Sequence, residues 1–60
     1  MKPRDYVVNF GSVRMPDGYR VVWSDGNEMY FWVRDSDDHW DGPYCNRFDA
    51  RRSAVHDSKL

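Results

Sequence analysis

Sixty residues suffice for one small domain, and a domain of that size buries only about 60% of its unfolded surface, so large side chains must hold it together. Three Trp, four Tyr and three Phe can do so, each burying roughly 150–250 Å². The single cysteine, Cys45, excludes an intramolecular disulfide and a cysteine-rich zinc site, and a net charge of −1 argues against a nucleic-acid binder held by bulk charge.

Tyr6, Val8 and Phe10 alternate with Val7 and Asn9, which predicts a first strand over about 5–15. A bulge at Gly11-Ser12 returns Val13 and Met15 to the same face. Pro16-Asp17-Gly18 is a turn, because Pro presets φ, Asp bonds back to the local backbone and Gly accepts a left-handed φ. A second strand follows over 19–24 and a third over 27–34, separated by a turn at Ser24-Asp25-Gly26. A three-residue loop there sets Val21 opposite Met29 and Tyr19 opposite Phe31. That register gathers Tyr19, Val21, Trp23, Met29, Phe31 and Val33 on one face, and a one-residue slip would invert a whole strand. The opposite face then carries Arg20, Val22, Glu28, Tyr30, Trp32 and Arg34.

Asp35-Ser36-Asp37-Asp38 reads as a loop, and His39-Trp40-Asp41 as a short fourth strand at the sheet edge before Gly42-Pro43. Asn46 is an N-cap with Asp49 three residues on, which predicts a helix over 47–57. Cys45 and Ala50 occupy the hydrophobic-staple positions. Phe48, Ala50, Ala54 and Val55 form a thin apolar stripe, with Phe48 and Val55 as its anchors on the sheet. Arg47, Arg51, Arg52 and His56 are left for solvent or a partner. The resulting fold is α+β: one domain over 1–60, a three- to four-stranded antiparallel meander and one C-terminal helix on the Tyr19/Val21/Trp23/Met29/Phe31/Val33 face.

Charge is unevenly distributed. Residues 25–41 carry Asp25, Glu28, Asp35, Asp37, Asp38 and Asp41 against Arg34 alone, a balance of −5, while the flanking segments are each +2. Asp35-x-Asp37-x-His39-x-Asp41 begins like a calcium loop, but Trp40 and Asn46 stand where the required Gly and Glu belong, so a solvated acidic loop is the better reading and no metal or cofactor is expected. Cys45 with His39 or His56 lacks the orienting group and oxyanion donors of a nucleophile pair, and no enzyme is expected. The best candidate for a working surface is the aromatic face of Tyr30 and Trp32, flanked by Arg20 and Arg34, together with Trp40, because contact surfaces are enriched in these residue types. Beside it, Asp35, Asp37, Asp38 and Asp41 would steer a partner with a basic groove.

Residues 15–43 resemble part of a WW domain. Met15-Pro16-Asp17-Gly18-Tyr19 is similar to its opening Leu-Pro-x-Gly-Trp, Tyr30-Phe31 to its central aromatic pair, and Trp40-Asp41-Gly42-Pro43 to its closing Trp-x-x-Pro. The resemblance implies that Tyr30 and Trp40 clamp a proline-rich strand. The spacing to Trp40 is one residue short of that pattern, and the Thr and His of the ligand groove are missing. The whole chain resembles in type the small aromatic-rich accessory proteins of phages and prophages, which implies a stoichiometric binder or inhibitor of a host protein. Sheet-type DNA binding is a third alternative, disfavoured by the acidic residues, and a homodimer stays open. No apolar run approaches the ~20 residues of a membrane span, and Met1-Lys2-Pro3-Arg4-Asp5 does not begin a leader, so a cytoplasmic setting is expected. Ser58-Lys59-Leu60 would be a peroxisomal address only in a eukaryotic chain.

Overall fold

Turn-forming tetrads separate runs of β-branched and aromatic residues, and the chain folds back at each of them. The computed structural model describes residues 5–60, so residues 1–4 of the expected domain, with the leader-free start read there, lie outside the described residues. The elements are β1 (Asp5–Val7), β2 (Tyr19–Ser24), β3 (Met29–Arg34), β4 (His39–Tyr44) and α1 (Arg47–Ser58). The strands lie in the order β1-β2-β3-β4, every neighbouring pair antiparallel, and α1 packs against the sheet. This is the expected α+β meander with one C-terminal helix. Among the described residues no helix is long and apolar enough to cross a membrane.

The first strand is shorter than the 5–15 expected. Tyr6 faces Trp23 and Val7 faces Val22, and the Val8 N–H still reaches the Val21 carbonyl at 2.8 Å, but the chain then leaves the sheet. The cause is local. The Asn9 side chain accepts from the Gly11 N–H at 2.8 Å, and Gly11 sits at φ 65. The two replace the expected bulge with a turn away from β2. Residues 9–16 instead run beside the helix, where Phe10 meets Phe48 edge-on at 5.5 Å and Arg51 donates to the Arg14 carbonyl. Pro16-Asp17-Gly18 forms the turn expected of it, with the Tyr19 N–H on the Pro16 carbonyl and Gly18 at φ 82.

The register of β2 on β3 differs from expectation by three residues, an odd number. Val21 faces Trp32 and Trp23 faces Tyr30. The loop has four residues, Asp25–Glu28, because Glu28 and not Gly26 takes the left-handed conformation, at φ 53, and its N–H closes on the Ser24 carbonyl at 2.7 Å. The next loop repeats the device: Asp35–Asp38 ends on Asp38 at φ 58 and sets Arg34 opposite His39. An even loop moves all of β3 to the other face. The helix therefore covers Tyr19, Val21, Trp32 and Arg34. Val22, Phe31 and Val33 form a second buried cluster on the opposite face, with Met29 against them and the Trp40 ring edge-on to Phe31 at 5.3 Å. β4 is twice the length expected; it runs through Gly42-Pro43 to Tyr44, and its register on β3 shifts between Tyr30 and Trp32.

Asn46 caps α1 as expected, its Oδ1 accepting from the Phe48 N–H at 2.7 Å. The anchors of the helix are not Phe48 and Val55. Ala50 and Ala54, one turn apart, are fully buried against Val21 and Trp32, whereas Phe48 is 48% exposed. A methyl side chain lets the helix axis come close to the indole of Trp32, and that approach leaves Phe48 at the side of the contact rather than under it. Cys45 is exposed and not the buried staple residue expected.

Candidate functional site

The aromatic-and-acidic surface expected from the sequence is taken apart by the register of β3. Trp32 is no surface anchor. It is 3% exposed beneath α1, tilted against Tyr19 at 5.6 Å, and its Nε1 donates to Ser53 Oγ at 3.0 Å. Ser53 Oγ lies 2.8 Å from the Tyr44 hydroxyl, which in turn donates to Asp41 Oδ2 at 2.7 Å. An indole N–H can only donate and a carboxylate can only accept, so both hydroxyls in this chain point the same way, from Trp32 toward Asp41. Tyr30 shares a face with Trp32, while Trp40, 38% exposed, lies on the other face with Val33 and Phe31. The clamp implied by the WW resemblance is therefore not formed by Tyr30 and Trp40.

The acidic residues next to this face are largely engaged within the fold. Asp35 pairs with Arg20. Asp37 takes two bonds from Arg34, at 2.9 and 2.8 Å, and the same guanidinium donates to Asp57 on the helix at 2.8 Å. Asp41 receives Tyr44, and Asp38 closes the β3–β4 loop. Arg20 and Arg34 thus tie loop and helix to the sheet. The alternating Asp35, Asp37, His39, Asp41 set is dispersed among these bonds, with the His39 ring beside Trp32 at 5.7 Å.

These bonds shift proton equilibria. Arg34 and the His39 N–H hold the Asp37 carboxyl down to about 2, and the Tyr19 hydroxyl and Arg34 lower that of Asp57. Tyr19 is raised in return, chiefly by its 2.6 Å bond to Asp57. A carboxyl lowered in the folded state adds stability that is present above its unfolded value near 3.8 and is lost as pH falls toward about 2. A phenol raised in the folded state adds stability that is complete below 10.0 and is lost as pH rises beyond it. The melting temperature is therefore expected to fall at both ends of a pH series. Asp57→Asn should lower the neutral plateau and flatten the alkaline limb. An alkaline limb as steep in Asp57→Asn as in the parent would show that the Tyr19–Asp57 bond does not carry it.

With Trp32 covered, the open aromatic surface lies one row further along the sheet. The register aligns Tyr6, Trp23, Tyr30 and Tyr44 across all four strands, one ring per strand. Trp23 and Tyr30 meet edge-on at 4.9 Å, and Tyr6 at the sheet edge is 64% exposed. The row ends at the start of α1. There a shallow groove of about 290 Å³ is lined by Tyr30, Cys45, Asn46, Arg47 and Phe48, with the Arg47 guanidinium 5.1 Å over the Phe48 ring. Of the residues expected at a binding site, only Tyr30 belongs to this surface. Tyr6, Trp23, Phe48 and Arg47 join it through the four-residue loop and the alanine anchoring of the helix. An even loop at residues 25–28 was the one sequence signal that would have aligned the row.

Comparison with protein-family models, with curated proteins and with solved structures finds no match to the chain.

Proposed function

We propose that the chain is a non-enzymatic protein-binding module whose docking surface is the Tyr6–Trp23–Tyr30 row and the adjoining groove at Phe48. The observation that carries this reading is the aromatic row, exposed at Tyr6 and only partly buried at Trp23 and Tyr30. Tyr6 and Phe48 are exposed rings, while Val21, Val22, Phe31, Trp32 and Val33 are buried on the two faces of the sheet. Trp, Tyr and Arg dominate the energetic centres of protein interfaces, and here they adjoin on rigid elements. The groove contains one nucleophile, Cys45, and its other lining residues, Tyr30, Asn46, Arg47 and Phe48, include neither a carboxylate nor an imidazole to act as its base. The resemblance in type to phage accessory proteins supports a host protein as the target.

The test uses the chain's single thiol as a reporter. Immobilised protein should capture a partner from host lysate. In the eluted complex, alkylation of Cys45 should be slowed, because it lines the same groove as Phe48. Phe48→Ser should cost about 2 kcal/mol of binding if the ring is an anchor. It should leave the fold in place, since the helix is held by Ala50 and Ala54. Capture undiminished in Phe48→Ser, with Cys45 fully reactive in the complex, would place the docking surface elsewhere.

A further inference from the structure

The arginines among the described residues fall into two groups. Arg20, Arg34 and Arg52 each have a carboxylate: Asp35, then Asp37 and Asp57, then Asp49 at 3.6 Å. Arg14, Arg47 and Arg51 form no ion pair among the described residues, and one of them belongs to the groove. Arg47 lines it, with its guanidinium held over the Phe48 ring. Arg51 is one turn further along the same helix face and is engaged with the Arg14 backbone carbonyl, its Nε and Nη2 bonds being 3.2 and 2.8 Å. Flanking the middle of the aromatic row, one residue pair beyond Trp23 and Tyr30, stands the β2–β3 loop with Asp25 and Glu28. The surface is therefore aromatic along its length and cationic at the helix end, with an acidic loop on its flank.

That distribution discriminates between partners. A nucleic-acid strand presents phosphates all along its length and would meet Asp25 and Glu28. A protein segment can place its carboxylates at one end only. We infer that the groove receives an acidic segment of a partner protein, with a carboxylate on Arg47 and a neighbouring apolar side chain against Tyr30 and Phe48. This rests on the protein-binding reading above and specifies the chemistry of the partner. An arginine lying on an aromatic face keeps its N–H edges outward, and its planar fork matches a carboxylate with two parallel bonds. Because the guanidinium is already positioned by the ring, less of its freedom is lost on binding.

Fluorescence anisotropy on the whole chain at low salt, with three labelled probes, tests the inference. The probes are a short peptide of Asp and Glu interspersed with Leu and Phe, its counterpart with Asn and Gln in place of the acids, and a short oligothymidylate. The acidic peptide is expected to bind about tenfold more tightly than its amide counterpart, which corresponds to one charge-assisted contact. It should weaken with added salt and slow alkylation of Cys45. Arg47→Gln should remove about a tenfold share of its affinity while leaving the melting temperature unchanged, since the side chain makes no ion pair among the described residues. Equal affinity for the acidic and amide peptides would overturn the carboxylate and leave the protein-binding reading standing. Tighter binding of the oligothymidylate would overturn it in favour of nucleic acid. Failure of both peptides to bind would overturn it as well, and the capture assay with Phe48→Ser then reports separately on whether this surface binds protein at all.

Discussion

Trp32→Ala is expected to abolish cooperative folding. Trp32 is the largest side chain of the buried cluster that joins sheet and helix, at 3% exposure, and it packs with Val21, Ala50 and Ala54. Truncating a buried Trp to Ala typically costs about 3–5 kcal/mol. A core in a chain this short rarely supplies more than about 3–5 kcal/mol in total. The substitution also leaves Ser53 without its indole donor. The expected result is a broad or absent thermal transition by circular dichroism, with the helical signal lost together with the sheet. Phe48→Ala, at a half-exposed ring, should melt close to the parent. Comparable melting curves for the two variants would mean that the helix is not seated on Trp32.

Gly42→Ala is expected to be nearly as damaging, although it adds a single methyl group at a partly exposed edge strand. Gly42 has φ +148, a conformation that L side chains rarely adopt. A Cβ there would lie 2.5 Å from Phe31 Cδ2 and 2.9 Å from the Tyr30 carbonyl oxygen. The first neighbour is a buried ring and the second is backbone, so neither can move aside cheaply. Backbone strain of about 1–3 kcal/mol and overpacking of about 1–3 kcal/mol act together. Each kcal/mol shifts the midpoint of a domain this small by roughly 4–8 °C. A fall in melting temperature of at least about 8 °C is the expected reading, and several times that at the upper end of the combined penalty. A shift of only a few degrees would show that β4 does not pass this closely over Phe31.

The meander and the helix were legible in the sequence because their signals are local. Pro16-Asp17-Gly18 turns where such residues turn, and Asn46 caps where an Asn can. The faces were not legible. β3 reads Met29-Tyr30-Phe31-Trp32-Val33, apolar or aromatic at every position, so alternation could not say which parity points inward. The decision fell to loop length, where Gly26 was the obvious candidate for a left-handed residue, yet Glu28 holds that position. One residue of loop then exchanged Trp32 for Phe31 beneath the helix. The candidate site inherited that exchange: a surface built on Trp32 moved one row along, to Trp23 and Tyr30. The role of the acidic stretch was hidden for a different reason. Arg20 is far in sequence from Asp35 and Arg34 from Asp57, and no spacing rule shows that Arg34 would reach the helix.

The passage of β4 through Gly42-Pro43 at the margin of the sheet bears on how the protein behaves at high concentration. An open meander has two free rims, and a free rim of unpaired amides can template the addition of further chains into fibres. At one rim the strand contains an exposed Pro43, which has no amide hydrogen to offer an incoming strand. At the other, β1 runs for only three residues before Asn9 and Gly11 turn the chain away. Among the described residues neither rim gives a foreign strand a long uninterrupted ladder, so edge-to-edge growth of the sheet is disfavoured.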